Sequence, residues 1–277
     1  MELSALLAQT VVLPSLPRVV ALLLNELGHE EPHLRRVNQL LGSGPALAAR
    51  MLACANGAQF GLAGRVAGLA EALVLLDVAQ LRALVASAPL GSSLQSVPGM
   101  DLQQFWRTSL SAAKLARSLA GLVGQPQAGA YTAGLLHALG ELVMHLAMPE
   151  RMQSINTLVL PMDLRRAKLE QRLLGYAYGQ VGAGLAQQWG LPALVVHALG
   201  WQHAPFDDQV YEPLAGVVHL AGWRARATEA ALTERELAVS LPDQVGLALG
   251  LDIDMVLQQD PIDWTPRPDL DESEIFV

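Results

Sequence analysis

The chain has 277 residues, 52% hydrophobic and 16% charged, enough apolar side chains to bury a sizeable core in one large domain or two small ones. Its formal net charge of -8 leaves no basic excess to neutralise phosphates, which argues against nucleic acid as a partner; residues 260–277 hold six acids against Arg267 and supply -5 of it, leaving -3 for the rest. A single cysteine, Cys54, excludes an internal disulfide, and its flanks Met51, Leu52, Ala53 and Ala55 suit a small buried hydrophobe in a reducing compartment.

No Lys or Arg precedes Leu13, so a secretory leader is not expected and a cytoplasmic protein is. Residues 173–206 carry no Asp, Glu, Lys or Arg, but Gln180, Gln187, Gln188, Pro192 and Gln202 interrupt them. A helix pair buried in protein accounts for that stretch better than membrane insertion.

Apolar residues recur at helical spacing along almost the whole chain, with no run of period two, so the expected fold class is all-α. Pro14 and Pro17 bracket an entry turn, followed by a stripe of Val20, Leu23, Leu24 and Leu27 that Gly28 stops. Pro32 suits the first turn of a short helix through Leu41, and Ser43 is the expected N-cap of a helix bearing Leu47, Met51, Leu52 and Ala55. Leu69, Leu73 and Leu76 form the next stripe, and Asp77 caps a helix with Leu81, Leu84 and Val85 that Pro89 ends. Residues 91–99, rich in Ser and Gly with Pro98, mark a boundary between subdomains 1–97 and 98–260.

Asp101 opens the second half, with Phe105, Ser109, Ala112, Ala116 and Leu119 on one face. Tyr131, Leu135, Leu139, Leu142 and Leu146 read as the stripe of a single helix, Asp163 starts another, and Val181, Leu185 and Trp189 mark the next, whose Gly182, Ala183, Gly184 and Ala186 permit close helix approach. Pro192 begins a helix through His203, Pro213 one through Arg226, and Pro242 and Asp252 two shorter ones. Residues 261–277, acidic and containing Pro261, Pro266 and Pro268, read as a flexible tail. Arg35, Arg36, Arg165 and Arg166 read as solvated helix faces.

Several motifs stand in a telling order. The first half carries LPSLP at residues 13–17 and GPALAARML at 44–52, followed by ANGA at 55–58 and FG at 60–61. The second half carries FWRTS at 105–109, AGLLHALG at 133–140 and WGLP at 189–192. Together these resemble the HDOD domain, a bacterial signalling relative of the HD phosphohydrolases, over roughly residues 13–222. The resemblance implies two packed helical subdomains, an N-terminal bundle and a degenerate HD-like bundle.

In catalytic HD relatives the segment similar to AGLLHALG reads AGLLHD(I/L)G, and the adjacent His and Asp hold a divalent metal. Here His137 stands beside Ala138. By the same resemblance Thr108 replaces a ligand histidine, Tyr178 falls where a histidine often precedes V-G, Gln202 and His203 fall on a common H-H pair, and Gly222 takes the place of the last ligating acid. A catalytic metal site needs several convergent carboxylates and imidazoles. With Thr108, Ala138 and Gly222 in those places, the chain reads as a pseudoenzyme with no catalytic residue, no metal and no cofactor. Its implied role is regulatory, through contacts with signalling proteins in networks of cyclic dinucleotides, chemotaxis or histidine kinases.

Two other function classes stay open at this stage. His137, Glu141 and His145 recur at four-residue steps and, with His203, are the residues a divergent metal-dependent phosphohydrolase would use, although H-E-x-x-H is absent. Convergence of His137, Glu141, Tyr178, Gln202 and His203 on one vestigial pocket would instead suit a ligand, with a nucleotide or cyclic dinucleotide sensed without turnover. Neither a G-x-S-x-G elbow near Ser109 nor a strand ahead of the Gly-rich residues 179–184 supports serine hydrolysis or dinucleotide binding.

Overall fold

The computed structural model describes residues 1–89, 96–206, 211–251 and 253–258. Among them the chain forms only helices, turns and one isolated bridge between Val97 and Met100, so the all-α expectation holds. The expected acidic tail lies outside the described residues, as do Asp252 and most of the Ser/Gly stretch proposed as a boundary.

The first half begins with a short helix, α1 (Leu3–Leu7), absent from the sequence reading. There follow α2 (Pro17–Leu27), α3 (Leu34–Gly42), α4 (Pro45–Ala55), α5 (Leu69–Leu75) and α6 (Val78–Ala86). Proline occupies the first position of α2 and of α4, where its missing N–H costs nothing. Of the α2 stripe, Val20, Leu23 and Leu27 are buried and Leu24 lies outside it. Gly44, not Ser43, sits at the N-cap of α4, and the Ser43 hydroxyl donates to the Leu40 carbonyl at the end of α3. Asp77 caps α6 as expected, accepting from the Gln80 backbone N–H at 2.7 Å.

Asp101 accepts from the N–H groups of Gln103 and Gln104 and so opens α7 (Leu102–Leu122), the long central helix. Residues 127–147, read from sequence as one helix, form two: α8 (Gln127–Leu136) and α9 (Leu139–Ala147), with the chain turning at His137 and Ala138. Then come α10 (Pro149–Asn156), α11 (Arg166–Leu174), α12 (Tyr178–Gln188), α13 (Ala193–Trp201), α14 (Pro213–Glu229), α15 (Glu234–Ser240), α16 (Asp243–Ala248) and α17 (Ile253–Gln258). Residues 173–206 thus supply the α12–α13 pair, and among the described residues no helix is long and apolar enough to cross a membrane.

One apolar core runs from Leu16 to Val256 and includes residues on both sides of position 97. A smaller core of Leu6, Val143, Met144, Met152, Ile155, Tyr176 and Val181 lies under α1. Asn56, at the end of α4, ties the first-half loop together: its amide donates to the Leu52 and Val66 carbonyls and its oxygen accepts from the Arg65 and Val66 N–H groups. The same loop reaches the second half where the Gly64 N–H donates to the Gly190 carbonyl, and the Thr132 hydroxyl donates to the Ala67 carbonyl at 2.6 Å. The family-like segments ANGA and WGLP therefore meet in space. Cys54, beside them, is half-buried, and Trp201 at the end of α13 is 38% exposed.

Close backbone approach sets the position of α9. A Cβ on Gly140 would overlap the Tyr178 carbonyl oxygen and stand 2.7 Å from the Gly182 nitrogen, so α9 and α12 touch backbone to backbone. Gly140→Ala is expected to cost roughly 3 kcal/mol in urea denaturation, because backbone rather than a flexible side chain must move. Gly200→Ala on α13 meets only Ala183 Cβ at 3.4 Å and is expected to be neutral or stabilising by up to about 1 kcal/mol.

Candidate functional site

Where α8 ends, the His137 Nδ1–H donates to the Gly134 carbonyl at 2.7 Å, and the His137 carbonyl accepts from the Gln202 amide at 3.0 Å. A carbonyl can only accept, so Nδ1 carries the proton and Nε2 presents a lone pair. That Nε2 is buried and has no hydrogen-bond partner. It faces a cavity of about 170 Å³ lined by Tyr178 on α12, Gln202 and His203 after α13, His219, Gly222 and Arg226 on α14, and Ser240 and Pro242 beyond it.

Four of the five residues expected at a vestigial pocket therefore come together: His137, Tyr178, Gln202 and His203. Gly222 lies where the missing acid was placed, since a Cβ there would stand 3.3 Å from His137 Cδ2 and 3.6 Å from Nε2. Glu141 is the exception. The break at Ala138 separates it from the His137 turn, and its carboxylate lies behind the lining. His145 likewise turns away, its Nδ1 donating to the Glu141 carbonyl, and Thr108 is buried on α7 with its hydroxyl given to the Gln104 carbonyl.

Glu141 is fully buried between two guanidinium groups. Its Oε1 lies 3.3 Å from Arg166 Nε and its Oε2 3.9 Å from Arg226 Nη2. Arg166 also meets Glu170 at 2.8 Å, and donates to the Asn156 side chain and the Val159 carbonyl. Arg166, expected on a solvated face, is thus wholly interior, because four acceptors, Glu141 on α9, Asn156 on α10, the Val159 carbonyl in the loop after it and Glu170 on α11, replace its water. Glu170 accepts from the Tyr178 N–H, and burial together with the Glu141 charge raises its carboxyl to about 7.

Arg226, which the sequence reading placed only as a helix end, is the cation of the pocket. It is 6% exposed, its guanidinium carbon stands 4.9 Å from the Tyr178 ring centroid, and its Nε and Nη2 have no hydrogen-bond partner. The signal was present in the spacing, since His219, Gly222 and Arg226 recur at intervals of three and four on one helix face. The Tyr178 and His203 rings pack edge to face with centroids 4.5 Å apart.

Desolvation, reinforced by the Arg226 charge, lowers His137 to about 3 and holds His203 and His219 below the usual histidine range. Burial raises the Tyr178 phenol. The site is therefore a set of neutral rings around one guanidinium, with no carboxylate on the lining. Those donors do not fit a divalent cation: a guanidinium stands on the lining, and among the described residues no three His, Cys, Asp or Glu side chains are grouped to hold one.

The helical architecture and the AGLLHALG turn over this pocket define an HD-like helical protein. The model of the HDOD domain matches residues 13–205, and the chain belongs to that family. A response regulator from Methylococcus capsulatus, MmoQ, has a similar fold, with a TM-score of 0.70 and 24% identity over 90% of this chain and 98% of that one. A protein from Shewanella amazonensis, provisionally named a phosphohydrolase, is 29% identical over 88% of both chains, with a TM-score of 0.51. An uncharacterised Treponema pallidum protein is 27% identical over 217 residues; the match takes in 77% of this chain and only 42% of that protein's length.

Removing the shared cation exposes the network. Arg166→Met leaves Glu141 and Glu170 facing each other in the interior and is expected to cost roughly 3–5 kcal/mol by chemical denaturation. His137 titrates near 6.5 when unfolded and near 3 when folded, so its neutral form is favoured by folding and protonation favours the unfolded chain. Its contribution is complete above about pH 7 and is lost as pH falls from 6.5 towards 3, by at most about 1.4 kcal/mol per pH unit. Between pH 6 and 4.5, stability of the native chain should therefore fall more steeply than that of His137→Gln; equal slopes would contradict the buried neutral imidazole.

Proposed function

We propose that this chain is a non-catalytic HDOD regulatory protein, acting in bacterial signal transduction by binding other signalling proteins. The observation that carries this reading is Gly222 against His137, with Arg226 one turn further along the same helix. A carboxylate at position 222 would contribute negative charge and two ligand oxygens; glycine contributes neither, and the guanidinium repels a metal ion. Ala138 adds to the argument, because its methyl group is wholly buried in the main core. The lining carries no carboxylate and burial leaves His137 and His203 poor general bases, which supports a site without turnover.

A divergent metal-dependent phosphohydrolase is the second reading. It is favoured by the unpartnered Nε2 atoms of His137 and His203 in one cavity and by the 29% identity to the Shewanella protein. Sensing of a whole nucleotide or cyclic dinucleotide draws less support. About 170 Å³ falls well short of the roughly 300–1,000 Å³ of ordinary small-molecule pockets.

Elemental analysis of tag-free protein, purified without chelator and again after incubation with manganese, iron or zinc, separates the first two. The expected result is metal far below one equivalent and no phosphodiester hydrolysis that depends on His137. One equivalent of metal, with hydrolysis abolished in His137→Ala, would establish the enzyme instead.

A further inference from the structure

The pocket is built for a small anion. Arg226 is almost wholly buried beside the Tyr178 ring; its Nη1 donates to the Asp163 carbonyl at 3.4 Å and its Nη2 stands 3.9 Å from Glu141 Oε2, beyond hydrogen-bond range, so neither Nε nor Nη2 has a hydrogen-bond partner, and a guanidinium edge of this kind matches two oxygens of one oxyanion. Burying such donors unpaired is costly, and the cavity beside them carries no acid on its lining. Glu141, behind Arg226, also faces Arg166 at 3.3 Å, so its charge is divided between two guanidinium groups.

The same cavity also has an acceptor on its lining. The Gly134 carbonyl fixes the His137 proton on Nδ1, so Nε2 offers a lone pair to the cavity. A ligand that fits both must accept from Arg226 and donate to His137. A carboxylate or a sulfate has no proton to give near neutral pH, whereas inorganic phosphate keeps a hydroxyl beside its charged oxygens, and a phosphomonoester, whose second ionisation lies near pH 6, keeps one in its monoanion. The cavity has room for a group of a few heavy atoms. At 37% exposure Leu164 brings its lining to the surface, which gives such a group an entry.

We propose that this pocket binds a hydrogen-phosphate group, free or at the end of a phosphomonoester, with Arg226 as cationic anchor and His137 Nε2 as acceptor of its hydroxyl proton. This assignment rests on the non-catalytic reading of the site. It gives the protein a phosphate-bearing small-molecule or phosphoryl input.

Calorimetric titration of the full chain at pH 6, where about half of a phosphomonoester still carries its hydroxyl proton, and at constant ionic strength tests it, with inorganic phosphate, phosphoserine, sulfate and acetate as probes. Saturable one-site binding of phosphate or phosphoserine is expected, with sulfate and acetate weaker. Tighter phosphoserine identifies a phosphomonoester as the source, and tighter inorganic phosphate the free ion. Arg226→Gln removes the anchor, and Gly222→Asp sets a carboxylate beside His137; each should weaken binding by roughly tenfold or more. Circular dichroism verifies folding, and the second variant carries the test if the first does not fold. No saturable binding of either phosphate probe, or binding that folded variants retain, overturns the proposal. Sulfate bound as tightly as phosphate overturns the part given to His137. Failure here with metal absent leaves the non-catalytic reading standing, whereas one equivalent of metal with His137-dependent hydrolysis removes both.

Discussion

The Glu141 carboxylate, enclosed by Arg166 and Arg226, is the interaction on which the second half of the molecule depends. A buried charge is tolerated only when partners replace its water, and those partners come from three directions. Arg166 brings α11 and, through Asn156 and Val159, the end of α10 and the loop after it. Glu170 extends the network to the first N–H of α12, and Arg226 brings α14. Two of the helices that frame the pocket, α12 and α14, are therefore registered against α9, α10 and α11 through charge. The pocket is held in shape from behind, by Glu141, Arg166 and Glu170, which do not line it.

Apolar packing performs the equivalent task between the two halves, helped by a few fully satisfied polar groups. Asn56 makes four hydrogen bonds to backbone and leaves the loop after α4 little freedom. That loop meets Gly190, and Thr132 on α8 holds Ala67. Since α8 ends at His137, the first half of the chain is mechanically continuous with the pocket through one helix.

Helix number and burial were largely legible because the apolar stripes are long and the caps at Asp77 and Asp101 are chemically explicit. The break at His137 and Ala138 was not, since the stripe of Leu135, Leu139 and Leu142 continues through it and nothing local forbids a straight helix. The Thr233 capping box that starts α15 carried the usual T-x-x-E signal in a stretch with little apolar pattern, and went unread. At the site, the resemblance located His137, Tyr178, Gln202, His203 and Gly222. It gave no place to Arg226 or Arg166, because an arginine on a helix is by default a surface residue, and only the positions of Glu141 and Glu170 reveal otherwise.

His137 has two duties and Gly222 has none. The imidazole closes the end of α8 through Nδ1, and the His137 carbonyl receives Gln202, so the side chain and its backbone hold the turn together whatever occupies the pocket. Position 222 touches the imidazole and braces nothing. Selection for folding alone would thus keep the first and release the second. A census of such chains that counts surviving histidines as surviving chemistry would score hinges as active sites.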